Sequence, residues 1–464
     1  MRRRALVLVL ILGCASSSAR TARGPGRTPA SVAEAEKVPF GPDERAGELA
    51  FLRDALRESY SHLATKRAQW GTDLDEVFAR YEPLIRRAET WERYERVMVA
   101  FVSEFHDAHL AWRRTRAASE KKRRIVRLGL STRFVADALI VDEVWAGAGA
   151  ERAGLRVGDR IVGIDGETVE QRLGNLTSLR SWSRLEDARY DFAEEWPASR
   201  IDADAPVRER RVTRERDDGS YETLRVTPET QPPPGFRKDN LTAERTGQVT
   251  VLHVRSLGGS MSALERRMDE LLPLLQSDPH GLVVDVRGNA GGYDKGARIV
   301  AERLAARPVT GANVRVRLSS RARAERAEWK SLTEDPALPG WSLPQPVSVE
   351  GRAPRPYPAR LAVLTDAGCR SSCESLVMLL RALGARGFGE RTGGSSGAPL
   401  TLTLPKSGAR VTVPAWAMFD LAGNPIEGRG VAPDEEATAT RTDVVTRQDP
   451  VLQKALDWVA GGNK

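Results

Sequence analysis

Three short segments of the sequence bring together residue types whose spacing could support chemistry. The first is Phe105-His106-Asp107-Ala108-His109-Leu110, where two imidazoles lie three residues apart beside a carboxylate. A neutral imidazole is suited to take a hydroxyl proton near neutral pH. The same pair could begin a metal site, but no His-Glu-x-x-His pattern or marked third ligand accompanies it, so neither a metal nor a cofactor is expected. The second segment runs Gly281-Leu282-Val283-Val284-Asp285-Val286-Arg287-Gly288-Asn289-Ala290-Gly291-Gly292. An apolar strand that ends in a glycine-rich turn before a helix presents free N–H groups to an anion. It lacks both the Lys-Ser/Thr ending of a phosphate loop and the dinucleotide-binding spacing. The third segment follows the apolar run Leu361-Ala362-Val363-Leu364-Thr365-Asp366 and reads Gly368-Cys369-Arg370-Ser371-Ser372-Cys373-Glu374. A serine at a strand-to-helix junction sits where terminal N–H groups stabilise developing negative charge, although most such serines are simply helix caps. Cys369 and Cys373 flank it across a helix start, and they are expected to be small packing residues rather than a disulfide or a nucleophile.

The elements that must position these segments can be read from periodicity. Residues 44 to 112 have a helical pattern, and Thr90 can cap a helix in which Tyr94, Val97, Met98, Phe101, Val102 and Phe105 recur at spacings of three and four. That helix delivers the first segment at its end. A basic cluster, Lys121 to Arg124, leads into short strands and glycine turns through Glu170. Residues 176 to 207 are polar and show no clear period, and Arg208 to Thr227 reads as a hairpin turning at Asp217-Asp218-Gly219. Pro232-Pro233-Pro234 marks a boundary. Beyond it, strands at 249–255, 282–286, 360–364 and 386–390 alternate with helices at 262–276, 294–306 and 372–384, the pattern of an α/β domain.

Composition narrows the function classes. With 464 residues, about three domains are expected. The 41% hydrophobic content excludes collagen-like, wholly disordered and multi-span membrane chains. A net charge of +8 comes from basic residues scattered among acids, without an aromatic-basic stacking motif, so nucleic acid is not an expected partner. Arg2, Arg3 and Arg4 precede an apolar run, Ala5 to Leu12, too short to span a bilayer, which is the pattern of an export signal. The run ends Ile11-Leu12-Gly13-Cys14, resembling a bacterial lipobox in which Cys14 becomes the lipidated first residue. Residues 1–14 are thus expected to be a signal peptide and 15–43 a flexible tether, giving an exported lipoprotein held on a bacterial membrane and facing the periplasm.

Two stretches resemble known families. Arg127-Leu128-Gly129-Leu130, then Ala153-Gly154-Leu155-Arg156-Val157-Gly158-Asp159-Arg160-Ile161 and Ile164-Asp165-Gly166, resemble a PDZ domain, expected over 121–234 with an insertion. In such a domain the loop Leu128-Gly129-Leu130 would offer N–H groups to a peptide carboxylate while a strand edge takes up the tail. The two glycine-rich segments, then Gly389-Glu390-Arg391-Thr392-Gly393-Gly394, then Ile426-Glu427-Gly428-Arg429-Gly430-Val431-Ala432-Pro433-Asp434, resemble in that order the tail-specific, or C-terminal-processing, serine peptidases and their tricorn-core-like relatives. The resemblance implies an α/β, crotonase-like catalytic core of the ClpP/crotonase clan at 235–464, behind an N-terminal helical region at 44–120 and the inserted PDZ domain. It also implies polypeptide substrates, Ser371 as nucleophile, and an oxyanion hole from the N–H groups of Ser372 and Gly291. The processing branch uses a lysine base some 25 residues after the serine, but Thr392-Gly393-Gly394-Ser395-Ser396-Gly397 contains none. The other branch uses a histidine from an Asp-Gly-His-like segment, which Asp107-Ala108-His109 resembles. His109 is therefore the expected base, with His106 second. Glu427 is expected to orient it; Asp107 competes for that role, and Glu374 points away. A non-catalytic ligand-binding protein and a hydratase on the same fold remain the alternative readings.

Overall fold

The structure is a computed structural model that describes residues 36–115, 123–216, 218–230, 239–277, 280–353 and 360–461. Cys14, the signal and tether segments, and Pro232-Pro233-Pro234 lie outside the described residues. Among the described residues no helix is long and apolar enough to cross a membrane.

The apolar runs predicted as strands pair side by side. Val249–Val254, Gly281–Asp285, Arg360–Thr365, Arg386–Gly389 and the short Glu435–Glu436 run parallel, and Leu241–Thr246 closes the far edge antiparallel. Gly281–Asp285 is buried along its whole length, as expected for a central strand covered on both faces. Helices Met261–Ser277, Asp294–Leu304 and Ser372–Ala382 pack one face through Met268, Val300, Leu376 and Leu379. Helix Pro450–Ala460 covers the other face through Val451, Ala455 and Val459. Neighbouring parallel strands end on the same edge, so Asp285 lies beside Leu364. The two glycine-rich segments therefore emerge next to each other at the carboxyl ends of the strands, the usual place for a site in such a sheet.

The helix predicted after Thr90 is Trp91–Ser103, and Thr90 Oγ1 accepts the Arg93 N–H. Its buried face, Tyr94, Met98, Phe101 and Val102, packs against Leu49, Leu52 and Leu56 of helix Pro42–Ser59. This N-terminal region does not keep a core to itself. Leu402, Leu404, Val411 and Val413 of the hairpin Pro399–Thr403 and Arg410–Pro414 complete it, and Ala111–Arg113 pairs with the second strand of that hairpin. The first and last thirds of the chain thus meet around one apolar cluster.

Between them, Leu130–Val135, Ala138–Val144, Arg160–Ile164, Arg210–Glu215 and Tyr221–Val226 make an antiparallel sheet around Leu139, Val141, Ile161 and Val212. The stretch 176–207, aperiodic in sequence, contains the end of helix Val169–Leu179, helix Leu185–Glu195 and strand Ala198–Asp202. Phe192, Ala193 and Trp196 of this stretch enter the same core. Its period is obscured because the helix has polar partners on a second face as well.

Candidate active site

Ser371 stands immediately before helix Ser372–Ala382 with φ 57° and ψ −127°, a combination sparsely populated by non-glycine residues. Its hydroxyl makes no capping bond to the helix, so the cap role common for such a serine is not the one it plays. Its N–H donates to Ser395 O at 2.9 Å. Cys369 and Cys373 bridge around it with an S–S separation of 2.06 Å. The expectation of two packing thiols is thereby corrected: the turn at the helix start folds back enough to bring the Cα atoms within 5.4 Å.

His109 reaches the same point from the other end of the sequence. Its Nε2 lies 3.2 Å from Ser371 Oγ, and its Nδ1 lies 2.9 Å from Ser395 Oγ. Several backbone groups around it are held. The His109 N–H donates to Asp107 Oδ1 at 2.8 Å, its carbonyl accepts from Thr412 Oγ1, and the Asp107 and Ala108 N–H groups donate to Ser181 and Ser183 Oγ. The ring packs on Gly397, where an added Cβ would meet His109 Cγ at 3.2 Å and Pro414 Cβ at 3.2 Å.

The acidic residues are placed differently from expectation. Glu427 does not bond the imidazole: its Oε1 accepts from Lys66 Nζ at 2.5 Å and its Oε2 from the Ser396 N–H at 2.8 Å. Glu427 is buried, yet the Lys66 ammonium and the hydrogen bonds hold its carboxyl below the usual range. Asp107 also leaves the ring alone, since Tyr60 OH donates to its second oxygen at 2.8 Å. Burial pushes its carboxyl up. Glu374 does turn away from the Ser371 side chain, accepting from Thr392 Oγ1, Gly394 N–H and Ser395 N–H. Burial raises it to about 8 against those three donors. The group that meets Nδ1 is Ser395, whose role no sequence spacing marked. Its only signal was its place in the loop where a lysine was missing.

The two N–H groups expected to bind an oxyanion are placed differently. Ser372 N–H belongs to the first residue of its helix, beyond the reach of intrahelical carbonyls. Gly291 packs against Ser371, since a Cβ there would lie 2.6 Å from Arg370 O and 2.9 Å from Ser371 Cβ. Its N–H, however, donates to Asn289 Oδ1 at 2.8 Å, which corrects its assignment as an oxyanion donor. The next residue, Gly292, bridges Leu257 in the parallel sense, with Leu257 N–H on Gly291 O and Tyr293 N–H on Leu257 O. Its own N–H therefore points away from the Leu257 segment.

His106 packs at a tilt against both Trp70 and Trp182, with ring centroids 4.4 and 4.5 Å away, and makes no hydrogen bond to Ser371. Burial lowers it to about 4. His62, Asp107 and Glu427 offer ligand atoms within 4.8 Å of one another, a geometry a metal ion could use, but Lys66 already supplies Glu427 with positive charge.

The PDZ-like sheet is fastened to this site. Arg370, next to Ser371, pairs with Asp187 and Asp191 of helix Leu185–Glu195 at 2.7 Å each, and Tyr190 of the same helix fills the space over Gly288 and Gly368. The other side of that helix lies along Leu130–Val135, where Thr132 Oγ1 donates to Ala193 O. In the expected carboxylate loop, Leu128 N–H is already taken by Pro197 O at 2.8 Å, and Gly129 has φ 87° with Ala148 packed against it.

The chain is similar to known proteins over most of its length. Residues 248–437 match peptidase family S41, and residues 140–181 match the PDZ domain family. A Streptomyces coelicolor protein named as a tricorn protease homolog is 26% identical over 406 residues, covering 83% of this chain; the chain spans 30% of that relative's length. Among solved structures, mature CPAF complexed with lactacystin superimposes with a TM-score of 0.68 at 15% identity, covering 90% of this chain and 98% of that one. A Parabacteroides merdae peptidase structure gives 0.51 at 15% identity, covering 90% and 97%. These likenesses show a shared fold.

Proposed function

We propose that this chain, whose residues 248–437 belong to peptidase family S41 and are preceded by a PDZ domain, is an exported serine peptidase acting on polypeptide chains. The observation that carries the reading is the 3.2 Å approach of His109 Nε2 to Ser371 Oγ, made across 262 residues of sequence at the strand ends of an α/β sheet. We place that sheet in the crotonase-like clan.

With Nδ1–H donating to Ser395 Oγ, His109 keeps its Nε2 lone pair free for the Ser371 proton. Ser371 Oγ then attacks the scissile carbonyl, and the Ser372 and Gly292 N–H groups receive the oxyanion. The imidazolium gives its proton to the leaving amine, and a water deprotonated by the same nitrogen releases the acyl group. Among the described residues no carboxylate bonds the imidazole, so Ser395 sets its tautomer. A serine-directed fluorophosphonate should label the parent at Ser371 and spare Ser371→Ala; labelling elsewhere would refute the assignment.

The PDZ domain is proposed to hold C-terminal tails, adding them to a strand edge with Gly129 and Leu130 at the carboxylate. Tethering of this kind raises local substrate concentration to about the millimolar range. Support comes from the helix that lies along Leu130–Val135 and also grips Arg370. Amidating the C-terminus of a disordered substrate should weaken its cleavage, whereas equal rates for acid and amide would exclude tail recognition. Lipidation at Cys14 and a periplasm-facing membrane location complete the proposal, and the mass of the mature N-terminus tests them.

A further inference from the structure

We infer that Lys66 is a positioning residue for the base: its ammonium ties together the two segments that grip the His109 imidazole. The inference rests on reading Ser371 and His109 as nucleophile and base. Lys66 lies in helix Leu63–Trp70 with its side chain 0% exposed, a costly place for an ammonium unless it is fully paired. It donates to His106 O at 2.6 Å and to Glu427 Oε1 at 2.5 Å. The His106 carbonyl belongs to the turn that ends in His109, and His106 has φ 47°, which a histidine seldom adopts without support. On the other side, Glu427 Oε2 accepts the Ser396 N–H, and Ser396 follows the Ser395 that meets His109 Nδ1. One ammonium therefore braces the chain before the imidazole and the loop behind it.

Two other roles fit less well. A lysine base would have to face Ser371, whereas both of these contacts run to His106 and Glu427. A plain charge-balancing role explains the Glu427 contact but not the one to the His106 carbonyl.

The test uses the full chain. Lys66→Met should slow fluorophosphonate labelling of Ser371, per folded molecule, by about tenfold or more, the loss expected for charge-assisted hydrogen bonds, while KM for a peptide substrate changes little. That variant leaves Glu427 buried and unpaired, so a second one, Lys66→Met with Glu427→Gln, removes both charges. Positioning predicts that the double variant regains thermal stability over the single one yet stays slow. It also predicts that amide exchange at Asp107–His109 and Ser395–Ser396 stays faster than in the parent. Return of stability, rate and exchange together would overturn the inference. Failure to label the parent at Ser371 would instead count against the peptidase reading, and the exchange measurement would still decide for or against Lys66.

Discussion

Ser371, His109 and Ser395 form a line of hydrogen-bonding atoms, and the third of them is a hydroxyl where a carboxylate was expected. A neutral partner fixes the ring's tautomer without adding a charge of its own. Ser395→Ala should therefore lower kcat by about tenfold, the order of one hydrogen bond, with KM little changed in steady-state kinetics. Glu427→Gln should act on stability first. It leaves the Lys66 ammonium buried without its counter-ion, a change that costs about 3–5 kcal/mol and is measurable by denaturant unfolding. At this scale the sequence marked Ser371 and His109 through motifs, because a strand-turn-helix serine and an Asp-x-His turn leave local signatures. Lys66 leaves none, and Ser395 only its place in the loop that lacks a lysine: a lysine in a short helix reads as solvent-facing, and only the fold shows it buried. The Cys369–Cys373 bridge was misread for a related reason, since the backbone bend at Ser371 that allows it cannot be seen in residue spacing.

The elements that hold the segment Phe105–Leu110 come from three parts of the chain. His106 is clasped by Trp70 of helix Leu63–Trp70 and by Trp182, just before helix Leu185–Glu195. Burial depresses this imidazole from 6.5 to about 4, so the unfolded chain binds the proton more readily than the folded one between those values. The His106 contribution to stability should be complete above pH 6.5 and fall as the pH drops from there toward 4. His106→Phe keeps the stacking but not the titration, and chemical denaturation across that range should show a flatter profile than the parent. An unchanged slope would place the proton uptake elsewhere. The parallel strands and their helices were legible because apolar runs and 3.6-residue periods survive burial on both faces. Helix Leu185–Glu195 was not, since Asp187 and Asp191 on it are spent on Arg370 and interrupt the apolar period.

Taken whole, the molecule folds its N-terminal helices, its PDZ-like sheet and its α/β sheet onto one edge. Thr412 from the late hairpin, Ser181 and Ser183 from the PDZ side, and Lys66 from the early helices all bond the segment Phe105–Leu110. This explains why His109, so far from Ser371 in sequence, can lie 3.2 Å from it. It also means that the 44–120 region serves the site as a support and not as a separate module. The central claim is that Ser371 attacks and His109 removes its proton. Hydrolysis of an unfolded polypeptide by the parent, by Ser371→Ala and by His109→Ala tests it most directly. Ser371 Oγ makes no helix-cap bond, so its loss should leave the fold intact. Both variants should retain the parent's unfolding midpoint within a few degrees while losing turnover by about three orders of magnitude or more. A folded variant of either kind that cleaves at the parent's rate would contradict the account.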